Sequence, residues 1–395
     1  MSDFLDKALK IEDFIITLRR RLHEIPELGY REFKTSAFIQ SELNGMGLLH
    51  ARKIAKTGIC LTINNGAGPT VLLRADMDGL PITEETDLVF SSKHNGQMHA
   101  CGHDAHVAML LGAIKILKDE SFEGTIKFLF QPSEEGNYDD PDGFSGARRA
   151  IEEGLLEGVD CAIAMHQVPD IPTGSIAIDC GTVMASADSF ELHIQGKKAH
   201  AGANPEAGID AIIIASELIT SLQNIVSRQT GAKETLVLSV STFNAGTASN
   251  VVADEATLTG TVRTLDQSTR ENTIKLITAK CDAFSKMYNT KIRFKIVHST
   301  PTTVNSKDVT DIVHRSATKV FGDLKVLKGI NTMAGEDFGS ISQVVPSCFA
   351  LLGTMPNDGS VYSLHNGKMT VNESALYLGT AYLVEAALDL LHHFK

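Results

Sequence analysis

Met98-His-Ala-Cys-Gly-His-Asp-Ala-His106 places a thiol at Cys101 and imidazoles at His99, His103 and His106 within nine positions. That is far more soft and borderline metal-ligand capacity than an ordinary loop carries, and it points to a metal centre. The competing reading is a polar loop whose histidines cap the following helix. Against it, Cys-x-His stands at the start of a long apolar stretch, Ala105 to Leu117, with Met109, Leu110, Leu111, Ile114 and Leu117 at helical spacing. A helix start fixes loop geometry and lends positive potential that favours thiolate. A structural zinc finger needs a second close Cys/His pair, whereas Cys60, Cys161, Cys180, Cys281 and Cys348 are scattered singly. The remaining ligands must come from distant segments.

Those segments are found by following the strands. Thr70 to Arg74 reads as a strand buried on both faces and runs into Arg74-Ala-Asp-Met-Asp, setting Asp76 and Asp78 just past its carboxyl end. The strand Gly124 to Phe130 runs into Gln131-Pro-Ser-Glu-Glu-Gly, and adjacent acids at the tip of a buried strand need a cation or partner. The strand Asp160 to Met165 delivers His166. Three strand ends thus present Asp76/Asp78, Glu134/Glu135 and His166. By contrast, His365, in the polar turn Tyr362-Ser-Leu-His-Asn-Gly, reads on its own as a surface residue.

From about Asp188 the rhythm changes. Ser189–Gln195, Ala207–Ser227, Thr235–Phe243, Ala256–Thr264, Gln267–Tyr288 and Lys291–Val297 spell β-α-β-β-α-β, a split-βαβ sandwich inserted into a larger α/β domain. The expected division is a catalytic domain over 1–185 and 300–395 and an inserted ferredoxin-like domain over 186–299. Unpaired sheet edges in such an insert favour self-association.

The whole chain sets outer bounds. Its 395 residues exceed one ordinary core, and 43% hydrophobic with 21% charged residues describes a globular protein. No run approaches the ~18 uninterrupted apolar residues of a membrane span. A net charge of −12 argues against nucleic acid or anionic lipid as the main partner. The start Met-Ser-Asp-Phe-Leu-Asp lacks the basic flank and apolar centre of a secretory signal, and six unclustered cysteines suit a reducing compartment, so the expected setting is cytoplasmic.

Arg-Ala-Asp-Met-Asp, Met-His-Ala-Cys-Gly-His-Asp, Gln-Pro-x-Glu-Glu and Gly-Glu-Asp-Phe, with Leu22-His-Glu-Ile-Pro-Glu-Leu before them, give the chain a resemblance over nearly its whole length. It resembles the dinuclear-metal amidohydrolase and carboxypeptidase family of hippurate hydrolase, N-acetyldiaminopimelate deacetylase, auxin-conjugate hydrolases, aminoacylases and carboxypeptidase G. The hippurate and auxin-conjugate branch is most similar. The resemblance implies a zinc-peptidase-like catalytic domain with a mixed sheet flanked by helices, and an inserted dimerisation and lid domain. It implies two divalent ions per subunit (zinc, manganese, cobalt or nickel), held by Cys101, His103, Glu135, His166 and His365. Glu134 becomes the general base and Asp78 the carboxylate supporting the site from behind. In the insert it makes His200 an oxyanion-stabilising residue reaching a partner's site, and Asn250 and Arg263 substrate contacts.

The implied activity is hydrolysis of N-acyl amino acids by a homodimer or tetramer, with a carboxypeptidase or dipeptidase as the alternative. A metal-free scaffold that has lost catalysis would lack a ligand or the base, and none is missing. Two stretches depart from the hippurate branch. His200-Ala-Gly-Ala-Asn-Pro-Glu-x-Gly has the spacing of the carboxypeptidase G branch, and Asn137 to Ser145 replaces a short glycine run.

Overall fold

The computed structural model describes residues 2–136 and 140–395. The chain divides into two compact units, Met1–Val183 with Val304–Asn331 and Ser340–Lys395, and Met184–Thr303 with Thr332–Gly339.

The first unit is built on an eight-stranded mixed sheet in the order Arg52–Ile54, Gly58–Asn64, Thr125–Gln131, Thr70–Asp76, Cys161–Val168, Ser347–Gly353, Ile176–Ala177, Val326–Leu327. The four strands from Thr125–Gln131 to Ser347–Gly353 run parallel to one another. Every residue of Ser347–Gly353 is buried, and all but one in each of the other three. Parallel strands covered on both faces require such continuous apolar runs, and they deliver their carboxyl ends to a common edge. Helix His103–Leu117 is buried at every position except Lys115, as a helix apolar all round must be. Helices Glu12–His23 and Leu376–His393 pack on it. The stretch Glu373–His393 is long and apolar enough to cross a membrane, but 78% of its most apolar window is buried inside the unit, which makes it a core helix.

Element boundaries moved where they matter for function. The strand expected to end at Arg74 continues to Asp76, and the one expected to end at Met165 continues to Val168, so Asp76 and His166 are strand residues held by ladder hydrogen bonds. Pairing with neighbouring strands decides this. Local sequence carries no sign of it.

The second unit is a four-stranded antiparallel sheet in the order Lys291–Thr300, Ser186–Gln195, Glu255–Thr264, Leu236–Ala245, with helices Ala211–Asn224 and Gln267–Met287. This is the β-α-β-β-α-β order read from the sequence. Thr269, Thr273, Ile277 and Cys281, spaced four apart, are the buried stripe of its longer helix. The segment 332–339, expected to belong with the catalytic domain, clusters with this unit instead. Ala185 N–H donates to the carbonyls of Thr332 (3.2 Å) and Ala334 (3.0 Å), and Thr303 Oγ1 donates to the Glu336 carbonyl at 3.2 Å. Hydrogen bonds across more than thirty residues of chain capture it.

Candidate metal centre

Four of the expected ligands meet at the strand ends of the first unit. Gly102, at φ +82°, turns the chain from Cys101 into helix His103–Leu117, and a Cβ there would come within 2.4 Å of the Gln167 amide, so only glycine fits. Cys101 Sγ lies 3.3 Å from His166 Nε2, and His103 Nε2 lies 3.9 Å from Glu135 Oε1. Donor atoms of Cys101, His103 and Glu135 all fall within 4.8 Å of one another. Ligands at zinc-like bond lengths around one ion stand about 3.3–3.8 Å apart, so these separations suit a shared cation. His365, expected on its own to be a surface residue, is half-exposed but brings Nε2 to 2.9 Å from Glu135 Oε1. Its backbone is at φ +65°, and its N–H donates to the Ala100 carbonyl at 2.9 Å.

The ring nitrogens are prepared for coordination. His103 Nδ1–H donates to Asp78 Oδ1 at 3.2 Å, and His103 Nε2 has no hydrogen-bond partner among the described residues. His166 Nδ1–H donates to the Gln167 carbonyl at 2.5 Å, leaving Nε2 toward Cys101. Asp78 also accepts the Glu135 N–H at 3.0 Å, so one buried carboxylate orients the His103 ring and the Glu135 backbone together.

The electrostatics call for positive charge. Burial pushes the Cys101 thiol well above its usual range, and the carboxylates of Glu135 and Glu134 push it further. A cation beside Sγ would favour the thiolate that burial and the neighbouring acids disfavour. Burial disfavours the His103 imidazolium, yet Asp76, Asp78 and Glu135 outweigh it and raise the ring to about 10. A divalent ion answers both demands, since it stabilises thiolate and satisfies the acids while His103 serves as a neutral ligand. Burial holds His166 neutral, with the His106 ring adding to the effect. The residues fit a metal centre.

A supporting layer beneath escaped the sequence reading. Asp76 accepts from Arg74 Nη1 at 2.7 Å and His106 Nδ1 at 2.5 Å, while Gln167 N–H donates to His106 Nε2 at 2.8 Å. Both His106 nitrogens are occupied, so this histidine braces the site and is no ligand. The Gln167 side chain links Thr354 Oγ1 (2.6 Å) to the Cys101 carbonyl (2.8 Å). The alternation Arg74-x-Asp76-x-Asp78 at the end of a buried strand was the available signal, because acids facing inward must be paired. His99 is fully buried, neither ring nitrogen finds a partner among the described residues, and burial lowers it to about 3, so it is neutral packing.

His200, Asn250 and Arg263 stand in the second unit. His200 and Asn250 are neighbours there. Ala201 N–H donates to the Asn250 carbonyl at 3.0 Å, and His200 Nδ1 accepts from the N–H groups of Gly202 and Ala203 at 3.2 Å each. Arg263 projects from strand Glu255–Thr264 beside Gly335, half-buried, its Nε donating weakly to Thr261 Oγ1 at 3.4 Å. Of the segment Asn137 to Ser145, residues 137–139 lie outside the described residues. Asp140 accepts from Arg149 and from the N–H groups of Asp142 and Phe144.

Comparison with known proteins places this geometry. An N-acetyl-L-cysteine deacetylase of Bacillus subtilis is 39% identical over 96% of this chain and 89% of its own. An IAA-amino acid hydrolase of Arabidopsis thaliana (ILR1-like 2) is 36% identical over 98% of this chain and 87% of its own. Among solved structures, the Bacillus subtilis YXEP protein, described as a dinuclear metal binding peptidase, superposes with a TM-score of 0.81 at 32% identity, covering 97% and 99% of the two chains. Residues 72–389 match the model of peptidase family M20/M25/M40, a span that contains Asp76, Cys101, His103, Glu135, His166 and His365, and it is to this family that the chain belongs.

Proposed function

We propose that the chain is a metal-dependent amidohydrolase cleaving N-acyl amino acids, such as N-acetyl or N-benzoyl derivatives, to a free amino acid and a carboxylic acid. The observation that carries this reading is the cation-demanding set Cys101, His103, Glu135 and His166 at one parallel-sheet edge, with Glu134 next in chain to a ligand. The relatives named for N-acetyl-L-cysteine and for IAA-amino acids support amino acid conjugates as the substrate class.

Cys101, His103, Glu135, His166 and His365 would hold two divalent ions. When bound, these ions supply Lewis acidity toward the scissile carbonyl and acidify a water. Glu134 takes the proton from the attacking water and passes it to the leaving amine nitrogen. Asp78 keeps the His103 Nδ1–H engaged, so that Nε2 remains the donor toward metal. His200 meets the developing oxyanion, Asn250 contacts the substrate, and Arg263 grips the substrate carboxylate with its planar fork. The cytoplasm is the proposed setting, which suits six free cysteines.

A substrate panel on metal-stripped protein reloaded with zinc, manganese, cobalt or nickel tests the reading. N-acyl amino acids should be turned over faster than dipeptides, and only in metal-loaded protein. Faster dipeptide hydrolysis would make it a peptidase instead. Homodimerisation through the second unit, with His200 serving the partner's site, is part of the proposal. Mixing Glu134→Gln with His200→Ala chains should restore activity, up to about half the wild-type rate per mixed dimer if one site is whole. No recovery despite subunit exchange would remove the partner role.

A further inference from the structure

We infer that Glu32 is a positioning residue whose buried carboxyl holds the Ser133–Gly136 turn that presents Glu134 and Glu135. This rests on the function proposed above through the roles given to Glu134 and Glu135.

Glu32 is fully buried and stands at the N-cap position of helix Phe33–Gly45, yet its side chain makes no capping hydrogen bond. Glu27 supplies the cap instead, accepting from the N–H groups of Lys34 (2.8 Å) and Thr35 (2.9 Å). Glu32 is thereby free for another task. Its Oε1 accepts the Ser133 N–H at 2.8 Å, and its Oε2 accepts from Thr57 Oγ1 at 2.6 Å, which anchors it from behind. The bond to Ser133 spans 101 residues of sequence.

Ser133 needs holding. Its φ of +50° lies in the left-handed region, which a residue with a Cβ adopts only when its surroundings enforce it. The Ser133 carbonyl accepts the Gly146 N–H at 3.0 Å, its hydroxyl bonds the Gly136 carbonyl, and Glu135 N–H is fixed to Asp78. A Cβ on Gly29 would come within 2.3 Å of the Gly136 carbonyl oxygen, so the segment ahead of Glu32 presses directly on the turn. The left-handed residue thus precedes two acids with different duties, and the Glu32 bond is the one that fixes its amide. Burial, and the negative charge of Asp78, raise the Glu32 carboxyl to about 8 against its hydrogen bonds, so an amide of the same shape is a close substitute.

The test compares Glu32→Ala, Glu32→Gln and wild type as metal-loaded full-length chains, after circular dichroism has verified folding. Kinetics are read on N-acetyl-L-methionine, and zinc affinity is read separately by calorimetry on stripped protein. Glu32→Ala should lower kcat by about 10–100-fold with KM within about threefold, and weaken one zinc site about tenfold. Glu32→Gln should recover most of both losses. The calorimetric readout stands even if no N-acyl amino acid is turned over by wild type, which separates failure of this inference from failure of the proposed activity. Should Glu32→Ala not fold, the volume-conserving Thr57→Val, which removes the anchor, should shift both readouts in the same direction by a few fold. Wild-type kcat and zinc affinity in a folded Glu32→Ala, or in Thr57→Val, would overturn the inference. So would a Glu32→Gln as impaired as Glu32→Ala.

Discussion

Strand Thr70–Asp76 is buried from its second residue onward and ends in carboxylates, whereas strand Leu236–Ala245 of the second unit is exposed at most positions and carries no charge. The first lies inside a parallel sheet covered on both faces, and the second is the edge of an antiparallel sheet. A covered parallel sheet has no water with which to solvate polar groups at its strand ends. Every acid placed there must be compensated by a named partner, as Asp76 is by Arg74 and His106, or by an ion. An exposed edge strand of an antiparallel sheet faces no such demand and can spend its surface on association. The difference teaches that acids in the first unit gather at strand ends, where the proposed chemistry lies, whereas the edge strand of the second unit needs no charge at all.

The widest gap should open under Cys101→Ser, which removes the proposed soft ligand. Metal analysis should show loss of bound ion together with loss of turnover, while hydrogen exchange in strands Ser186–Gln195 and Glu255–Thr264 stays at wild-type protection. Protection lost equally in both units would break the contrast.

Next in size is the converse change. Asp188 is fully buried in the second unit, where it accepts from Arg270 at 2.7 and 2.8 Å and from Ser299 Oγ at 2.8 Å. Asp188→Ala leaves the guanidinium uncompensated and should cost about 3–5 kcal/mol in denaturant unfolding. Zinc affinity of the folded protein should not change, and a change would show that this pair serves the metal centre.

The smallest effect concerns Glu84. Burial opposes its ionisation, but hydrogen bonds from His23, Thr86 and the Ser92 N–H prevail and bring the carboxyl from 4.5 to about 2. A depressed carboxylate contributes stability above its ordinary pKa that is lost as pH falls. Melting temperature of metal-free protein should therefore fall more steeply between pH 4.5 and pH 2 in wild type than in Glu84→Gln, and identical slopes would contradict the assignment.

Much of this organisation was legible in the sequence because buried parallel strands and a β-α-β-β-α-β run leave strong local patterns. The Cys101 loop and the acid pair at Glu134 and Glu135 announced themselves by residue type. What stayed hidden depends on pairing across the chain. The Gln167 link to Thr354 spans 187 residues, and no local pattern marks either one. The bracing role of His106 becomes clear only when Gln167 N–H is seen on its Nε2. Segment 332–339 joined the second unit through two bonds from the Ala185 N–H, which any sequence can make, and one from a threonine hydroxyl some thirty residues away. His365 was legible only through the family resemblance, for a related reason, since its approach to Glu135 depends on a left-handed backbone and a bond to Ala100.

The central claim is that adjacent acids divide the labour, Glu134 moving the proton and Glu135 holding the ion. It is tested most directly by measuring bound metal and turnover side by side in Glu134→Gln and Glu135→Gln. Glu134→Gln should retain wild-type metal content and lose about 10²–10⁴-fold in kcat, while Glu135→Gln should lose metal. Full metal in Glu135→Gln, with metal lost from Glu134→Gln, would contradict the account.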